Sequence, residues 1–470
     1  MEAMKMRRQK GNTVSEQSTQ PKVAVGYAIG EVGCSVSWYM VNNYLTLFYT
    51  DVVGLSATAI SLIMLIARVW DAINDPMMGN IADRTNTRWG RFRPYLMFAP
   101  PFLAVFNFLT FTVWPLTGAA KVIVCMLCYI LVGMAYTAVG IAQSAIVNVL
   151  ALDTQDRMNL STARGIGASI ANMALSAIAM PTILWFSGAE VANKTGYMWF
   201  SVVMGVAMII CFCVESYLCP EKYTQQLHAQ TAESSERKKG FLKSFASICK
   251  NDQLMLIVVM VLIGTICITA RMSLLSYYLI YVLGSYNLIS PVFTLLTTAQ
   301  LIGTLTIPFM TKRMGKRNYM ILLNALMVLG MICTYFWGKN LAVLYAFCII
   351  GGLNNCSSTL CYGMISDSIE YGAWKLHTRQ EALAGAMLSF AVKCATAISG
   401  AVGVLLLMRF GYVPNAEQTE AAKQGINFVV NMIPAFLGII TFIPMFMYKL
   451  TEQRVTEIRA QMSSQQEEIS

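Results

Sequence analysis

The chain has 470 residues, of which 56% are apolar and only 12% charged, and its mean hydropathy is +0.56. That composition excludes an ordinary soluble domain and points to a polytopic membrane protein. The net charge of +10 fits loops facing anionic lipid better than a nucleic-acid partner, and two histidines and 13 cysteines supply no nucleophile-base pair or zinc set, so neither an enzyme nor a metalloprotein is expected.

Residues 1–22 are polar and basic, without the short apolar core and small-residue cleavage site of a signal peptide, and are expected to form a cytoplasmic tail. Apolar runs long enough to span a bilayer follow at 23–50, 55–82, 95–115, 119–152, 161–187 and 197–218. A polar segment, 219–253, with the charge cluster Glu236-Arg237-Lys238-Lys239, interrupts them as a cytoplasmic central loop. Six more runs come after it, at 254–284, 288–310, 319–337, 341–366, 382–410 and 425–449, and 450–470 is again a polar tail.

Twelve spans in two halves, 23–218 and 254–449, predict an all-α membrane protein built from two six-helix bundles. Lys and Arg concentrate in the tails and alternate loops, which predicts both termini in the cytoplasm of a bacterial inner-membrane protein. The halves echo each other. A basic turn follows the second span of each, Trp89-Gly90-Arg91-Phe92-Arg93-Pro94 in one and Lys312-Arg313-Met314-Gly315-Lys316-Arg317 in the other. That pattern predicts the major facilitator architecture, with Pro76, Pro181, Pro308 and Pro434 tolerated inside spans because neighbouring helices satisfy the freed carbonyls.

The most informative stretch lies in the second span, Arg68-Val-Trp-Asp71-Ala-Ile-Asn74-Asp75-Pro76. Asp71 and Asp75 are four apart, so on a helix both carboxylates point the same way. Each acid at bilayer depth costs about 2.5–3.5 kcal/mol on insertion. Such a pair persists only with a cation between the carboxylates, with protons on them, or with basic side chains from other helices beside them. Asn74 offers a further oxygen of the kind a hard cation takes. A purely structural reading pairs Asp71 with Arg68 at i−3.

Polar stripes mark a wet cavity. In the first span Glu31, Ser35, Trp38 and Asn42 share one face; the fourth carries Thr137, Gly140, Ser144 and Asn148 with Gln143 beside them; the fifth has Arg164, Ala168 and Asn172. In the tenth span Asn355, Ser358, Tyr362 and Ser366 continue the idea. Small and hydroxyl residues also serve close helix packing, but four such stripes together favour a solute path. Two cations need partners at depth. Lys393, in a stripe with Ser389 and Thr396, is expected to meet the second-span acids or a substrate, and Arg271 could hold an anionic group bidentately or pair internally.

Together these features resemble the glycoside-pentoside-hexuronide:cation symporter family, the melibiose permease-like branch of the major facilitator superfamily. The resemblance runs over nearly the whole chain and rests on Tyr49-Thr50-Asp51-Val52-Val53-Gly54-Leu55-Ser56, Trp70-Asp71-Ala72-Ile73-Asn74-Asp75-Pro76, the basic turn ending at Pro94, Tyr136-Thr137, Asn251-Asp252-Gln253-Leu254, Glu370-Tyr371-Gly372 with Arg379 and Glu381, and Gly411-Tyr412-Val413-Pro414-Asn415. It implies a cation site at Asp71, Asn74, Asp75 and Thr137, with Lys393 close by, and a sugar-site arginine at Arg164. At the same offsets, two sugar-binding aspartates of the melibiose-transporting members fall on Ser35 and Gly140 and a stacking tryptophan on Ser144, so galactoside specificity is not carried over. Loss of two acids and the presence of Arg271 argue for an anionic solute such as a hexuronide.

The expected function is symport of a glycoside with Na⁺ or H⁺, by a monomer in the lipid bilayer with no cofactor beyond the coupling ion and no nucleic-acid partner. The solute-facing residues expected are Ser35, Trp38, Asn42, Gly140, Ser144, Arg164, Arg271 and Lys393. Two alternatives stay open: an exporter or exchanger of a small organic acid or sulfonate, and a non-transporting sensor or lipid-handling protein, against which the polar stripes argue.

Overall fold

The computed structural model describes residues 21–85, 87–151, 154–221, 251–376, 381–414, 416–458 and 461. Most of the expected central loop and tails, with His228, His377, Arg379 and Asn415, lie outside these residues.

The N-terminal half contributes α1 (Pro21–Leu47), α2 (Ala57–Arg84), α3 (Arg93–Thr110), α4 (Gly118–Ala145), α5 (Thr154–Ser187) and α6 (Lys194–Leu218). The C-terminal half contributes α7 (Asp252–Tyr277), α8 (Ile289–Met314), α9 (Lys316–Trp337), a tenth span in two pieces, α10 (Leu341–Gly352) and α11 (Ser357–Leu376), then α12 (Glu381–Arg409) and a last span formed by α13 (Glu420–Asn427) and α14 (Ile433–Met447). Among the described residues the spans number twelve and no strand is present, as hydrocarbon demands of backbone groups that must all be bonded internally. Ten are long and apolar enough to cross a bilayer by composition alone. The remaining two, α1 and α3, pack inside the same bundle.

Starts and stops follow local chemistry. Ser56 caps α2 by accepting from the Ala59 amide at 3.2 Å, and Asn251 caps α7 by accepting from Leu254 at 3.2 Å. The first span of each half ends in the same way. A wider, π-helical turn closes α1 at Phe48–Val52 and α7 at Tyr278–Val282, and each is followed by a glycine in left-handed backbone, Gly54 (φ 73°) and Gly284 (φ 76°). The halves are thus related in structure as well as in sequence. Pro76, Pro181 and Pro308 are carried within α2, α5 and α8, and Pro434 directly follows the π-helical turn Phe428–Met432 at the start of α14.

Within the first bundle α1 packs on α5 and α6, and in the second α7 packs on α12 and α14. Small residues set the closest approaches. A Cβ at Gly167 of α5 would lie 2.4 Å from the Ala28 carbonyl oxygen of α1, so only glycine fits that crossing. The bundles meet along α2 with α12, α5 with α8, and α1 with α7. At the end of the molecule remote from Pro21, three bonds join them: Thr50 to Tyr277 hydroxyl at 2.8 Å, Tyr281 hydroxyl donating to Asp51 Oδ2 at 2.8 Å, and Tyr412 hydroxyl donating to Asp51 Oδ1 at 2.5 Å. Ser61 on α2 donates to the Ala401 carbonyl of α12 at 2.6 Å in the same half. These bonds tie the two bundles together at that end.

Candidate functional site

The second span brings its acids to the boundary between the bundles. Asp75 Oδ1 accepts from the Thr137 hydroxyl of α4 at 3.0 Å, and its Oδ2 is ion-paired with Lys393 of α12, in the opposite bundle. Asp71 Oδ2 lies 3.3 Å from Arg68 Nη1, one turn earlier on α2. Asp71 thus takes the local arginine, the contact the structural reading expects, and Asp75 takes a base from across the gap.

The local geometry depends on absent side chains as much as present ones. A Cβ at Gly133 on α4 would stand 2.9 Å from Asp71 Oδ1, so glycine there leaves the carboxylate its place. Asn74 is buried, and neither its amide nitrogen nor its oxygen makes a hydrogen bond. An unsatisfied buried amide costs about 1–3 kcal/mol. Two carboxylates and the Thr137 hydroxyl line the cavity as oxygen donors of the kind a hard monovalent ion takes, while a proton needs only one of the carboxylates.

These acids form one wall of a cavity of about 710 Å³, a size typical of small-molecule sites. Trp38 of α1, Gly140 and Ser144 of α4, and Arg164 of α5 line it from the first bundle; Ser389, Lys393 and Thr396 of α12 line it from the second. Trp38 stacks on Tyr136 with ring centroids 4.4 Å apart and planes 22° from parallel, and the Arg68 guanidinium lies 5.9 Å from the Trp38 ring centre. Asp75 and Lys393 keep 29% and 38% of their side chains exposed, within the gap between the bundles. Arg164 Nε donates to Glu31 Oε2 of α1 at 2.6 Å.

Several expected residues do not converge here. α1 presents Cys34 and Trp38 to the cavity, a pair four apart; Ser35, a hundred degrees round the helix, is not on the wall, and Asn42 lies one turn beyond Trp38, past the lining. Asn74 sits behind the acids instead of on the surface. Arg271 is the clearest correction. It is 4% exposed, lies 3.4 Å from where a Gly351 Cβ would stand, and borders neither this cavity nor the one in the second bundle; Nε and Nη2 make no hydrogen bond. Its helix face packs towards glycine-bearing α10, so it is not a solute contact in this arrangement.

Without Arg271 the charges can be counted again. Arg68, Arg164 and Lys393 line the cavity with Asp71 and Asp75, three positive against two negative, and Glu31 on Arg164 makes it three against three. The positive surplus inferred from sequence is cancelled by that one carboxylate. Glu31 was read only as part of a polar stripe, and Tyr136 only as part of a motif. Their roles need partners on other helices, so the one usable signal was Tyr136 standing next to Thr137.

A model of the MFS/sugar transport protein family matches residues 26–452. The chain is 31% identical to an isoprimeverose transporter of Lactiplantibacillus pentosus, over 90% of this chain and 88% of that protein. It is 29% identical to a glucuronide carrier protein homolog of Escherichia coli (strain K12), over 93% and 94% of the two chains. In fold it resembles a crystal structure of a D-xylose-proton symporter, with a TM-score of 0.63 at 14% identity, covering 92% of this chain and 98% of that one. On the family match, the aligned relatives and the two-bundle architecture, the chain belongs to the glycoside-pentoside-hexuronide:cation symporters of the MFS/sugar transport family.

Proposed function

We propose that this protein carries a glycoside across the membrane together with Na⁺ or H⁺. The observation that carries the reading is the double engagement of Asp75: it accepts from Thr137, a residue of the proposed ion site, and it is bonded to Lys393 of the opposite bundle in the wall of the solute cavity. An ion arriving at Asp71 and Asp75 competes with Lys393 for the carboxylate. It therefore changes the strength of a link between bundles, and through that link the balance between states open to either side. The freed ammonium becomes available to a solute hydroxyl or carboxylate. Trp38 supplies an apolar plate for a sugar face, and Arg164 and Ser144 supply hydrogen-bonding groups. Both termini face the cytoplasm in this reading, and import follows the inward gradient of the ion.

The test is uptake into proteoliposomes driven by an imposed Na⁺ or proton gradient. With the native chain, solute accumulation should follow one of the two gradients; with Asp75→Asn, binding should persist without responding to the ion. Accumulation that ignores both gradients in the native chain would remove the coupling.

A further inference from the structure

We propose that the Trp38 ring is a sugar platform switched by the coupling ion: the Arg68 guanidinium covers the ring while Asp71 holds that arginine, and an ion on Asp71 uncovers it. Arg68 stands between the two parts of the site. Its Nη1 lies 3.3 Å from Asp71 Oδ2 in the candidate ion site, and its guanidinium carbon stands over the Trp38 ring of α1, 5.9 Å from the ring centre. All three side chains line the one cavity of about 710 Å³, so a change at the carboxylate and a change at the indole occur in the same space.

Three observations carry the inference. First, part of the indole is already taken: Tyr136 stacks on it with ring centroids 4.4 Å apart and planes 22° from parallel, a spacing that admits nothing between the rings. What remains of the ring is where a sugar would lie, and the guanidinium stands there. Second, the acid and not the ring holds the arginine in place. Arg68 and Asp71 are three apart on α2, with side chains only 19% and 17% exposed, whereas a cation 5.9 Å from a ring centre is at the outer limit of a cation–π contact. Third, among the described residues Asp71 is the one carboxylate paired with Arg68, because the next acid along, Asp75, is ion-paired with Lys393.

The consequence follows from charge. A Na⁺ ion or a proton on Asp71 cancels the attraction that fixes Arg68, and Na⁺ adds repulsion besides. The freed guanidinium turns to the cavity, where its donors serve solute hydroxyls, and the uncovered indole takes the apolar face of a sugar ring. In reverse, a sugar seated on Trp38 moves Arg68 from its place beside Asp71 and leaves that carboxylate open to the ion, so each ligand favours the other, as linkage requires. Trp38 is then the group that touches the sugar, and Arg68 is a positioning residue that acts through it. The inference rests on the cation-coupled glycoside reading above and extends it to solute class: a pyranoside with a continuous face of C–H groups gains affinity from the ion by this route, and a small acid without such a face does not.

Equilibrium binding of isoprimeverose and of methyl β-D-glucuronide to the purified full chain, without coupling ion and then at saturating Na⁺ or at low pH, reads the switch as a ratio of affinities. In the native chain the ion should tighten the glycoside that binds by about tenfold or more. Trp38→Leu should keep ion-free binding within about threefold of native and shrink the ratio to less than about threefold, while Trp38→Phe, which retains an aromatic face, should keep most of the ratio. Arg68→Gln should raise ion-free affinity by about fivefold or more in the native background and by less than about twofold in the Trp38→Leu background, since the two residues act as one unit. Equal weakening of Trp38→Leu with and without the ion, or a full ratio in that variant, would overturn the switch and leave the transporter reading intact. A native chain that binds neither glycoside, or binds one without response to either ion, overturns both.

Discussion

Lys393 of α12 is ion-paired with Asp75 of α2, so a ligand of the candidate ion site is also one side of a bond between the two bundles. Replacing Lys393 by Gln removes the internal competitor. Breaking a half-exposed ion pair removes roughly 1–2 kcal/mol, between the surface and buried cases. Lys393→Gln should therefore lower the melting temperature without the coupling ion, bind that ion about tenfold more tightly, and transport more slowly, all read by ion titration of thermal unfolding beside vesicle uptake. Unchanged ion affinity would show that the lysine and the ion do not compete.

The glycine opposite Asp71 gives a separate handle on the same site. A methyl group at Gly133 would stand 2.9 Å from Asp71 Oδ1 and push the carboxylate aside. Gly133→Ala is expected to weaken the coupling ion by roughly fivefold to tenfold, about 1–1.4 kcal/mol. Solute affinity at saturating ion should change little. A loss of solute binding that no ion concentration restores would place the damage in helix packing.

Arg164 Nε donates to Glu31 Oε2 at 2.6 Å, and Arg164 is among the residues that line the cavity. Glu31→Gln removes the compensating charge and shifts the balance from three against three to three against two. Methyl β-D-glucuronide should gain affinity over methyl α-D-xyloside by about fivefold or more in this variant, whereas Arg164→Gln should weaken both by about tenfold. Equilibrium binding of the two glycosides to each variant checks this. An unchanged ratio in Glu31→Gln would show that Arg164 does not sense solute charge.

Asp51 accepts from Tyr281 and Tyr412 at the sealed end of the molecule. A hydrogen bond to a charged group contributes about 1.5–3 kcal/mol, so losing one moves a two-state balance by roughly 10- to 100-fold. Tyr412→Phe should therefore populate a state open at that end. Spin labels at Val191, between α5 and α6, and Glu417, between α12 and α13, sit on opposite bundles there, and their distance distribution should gain a longer component. An unaltered distribution would mean that α2–α12 and α5–α8 packing holds the end by itself.

Much of the fold was legible because hydrocarbon imposes simple requirements. Every span expected from an apolar run is a helix, but the runs report bilayer depth and not helix length. Thus α5 begins at Thr154, a full turn and more before the apolar run at 161, because its polar first turns still form backbone bonds. The break in the tenth span, Leu353–Cys356, is not marked by proline and lies inside a longer apolar run, and of its two asparagines only Asn355 belongs to the expected polar stripe.

The acid pair could be found from the chain alone because its geometry is local. Four residues on one helix set the direction of both carboxylates, and the expense of charge in lipid made them conspicuous. Which base would answer them is not set within a segment: Lys393 reaches Asp75, whereas Arg271, left open between a solute and an internal partner, is buried away from the cavity, although both are single cations within apolar helices.

The amino-acid order by itself determined twelve helices, two related halves and a second span that must meet positive charge, since hydrophobic length, helical spacing and electrostatic cost all act within a segment. Only the packed structure decided that α12 faces α2, that α7 turns Arg271 towards α10, and that Glu31 neutralises Arg164. Those are rotations of whole helices about their axes, set by contacts between side chains far apart in the chain, and no single helix carries the information.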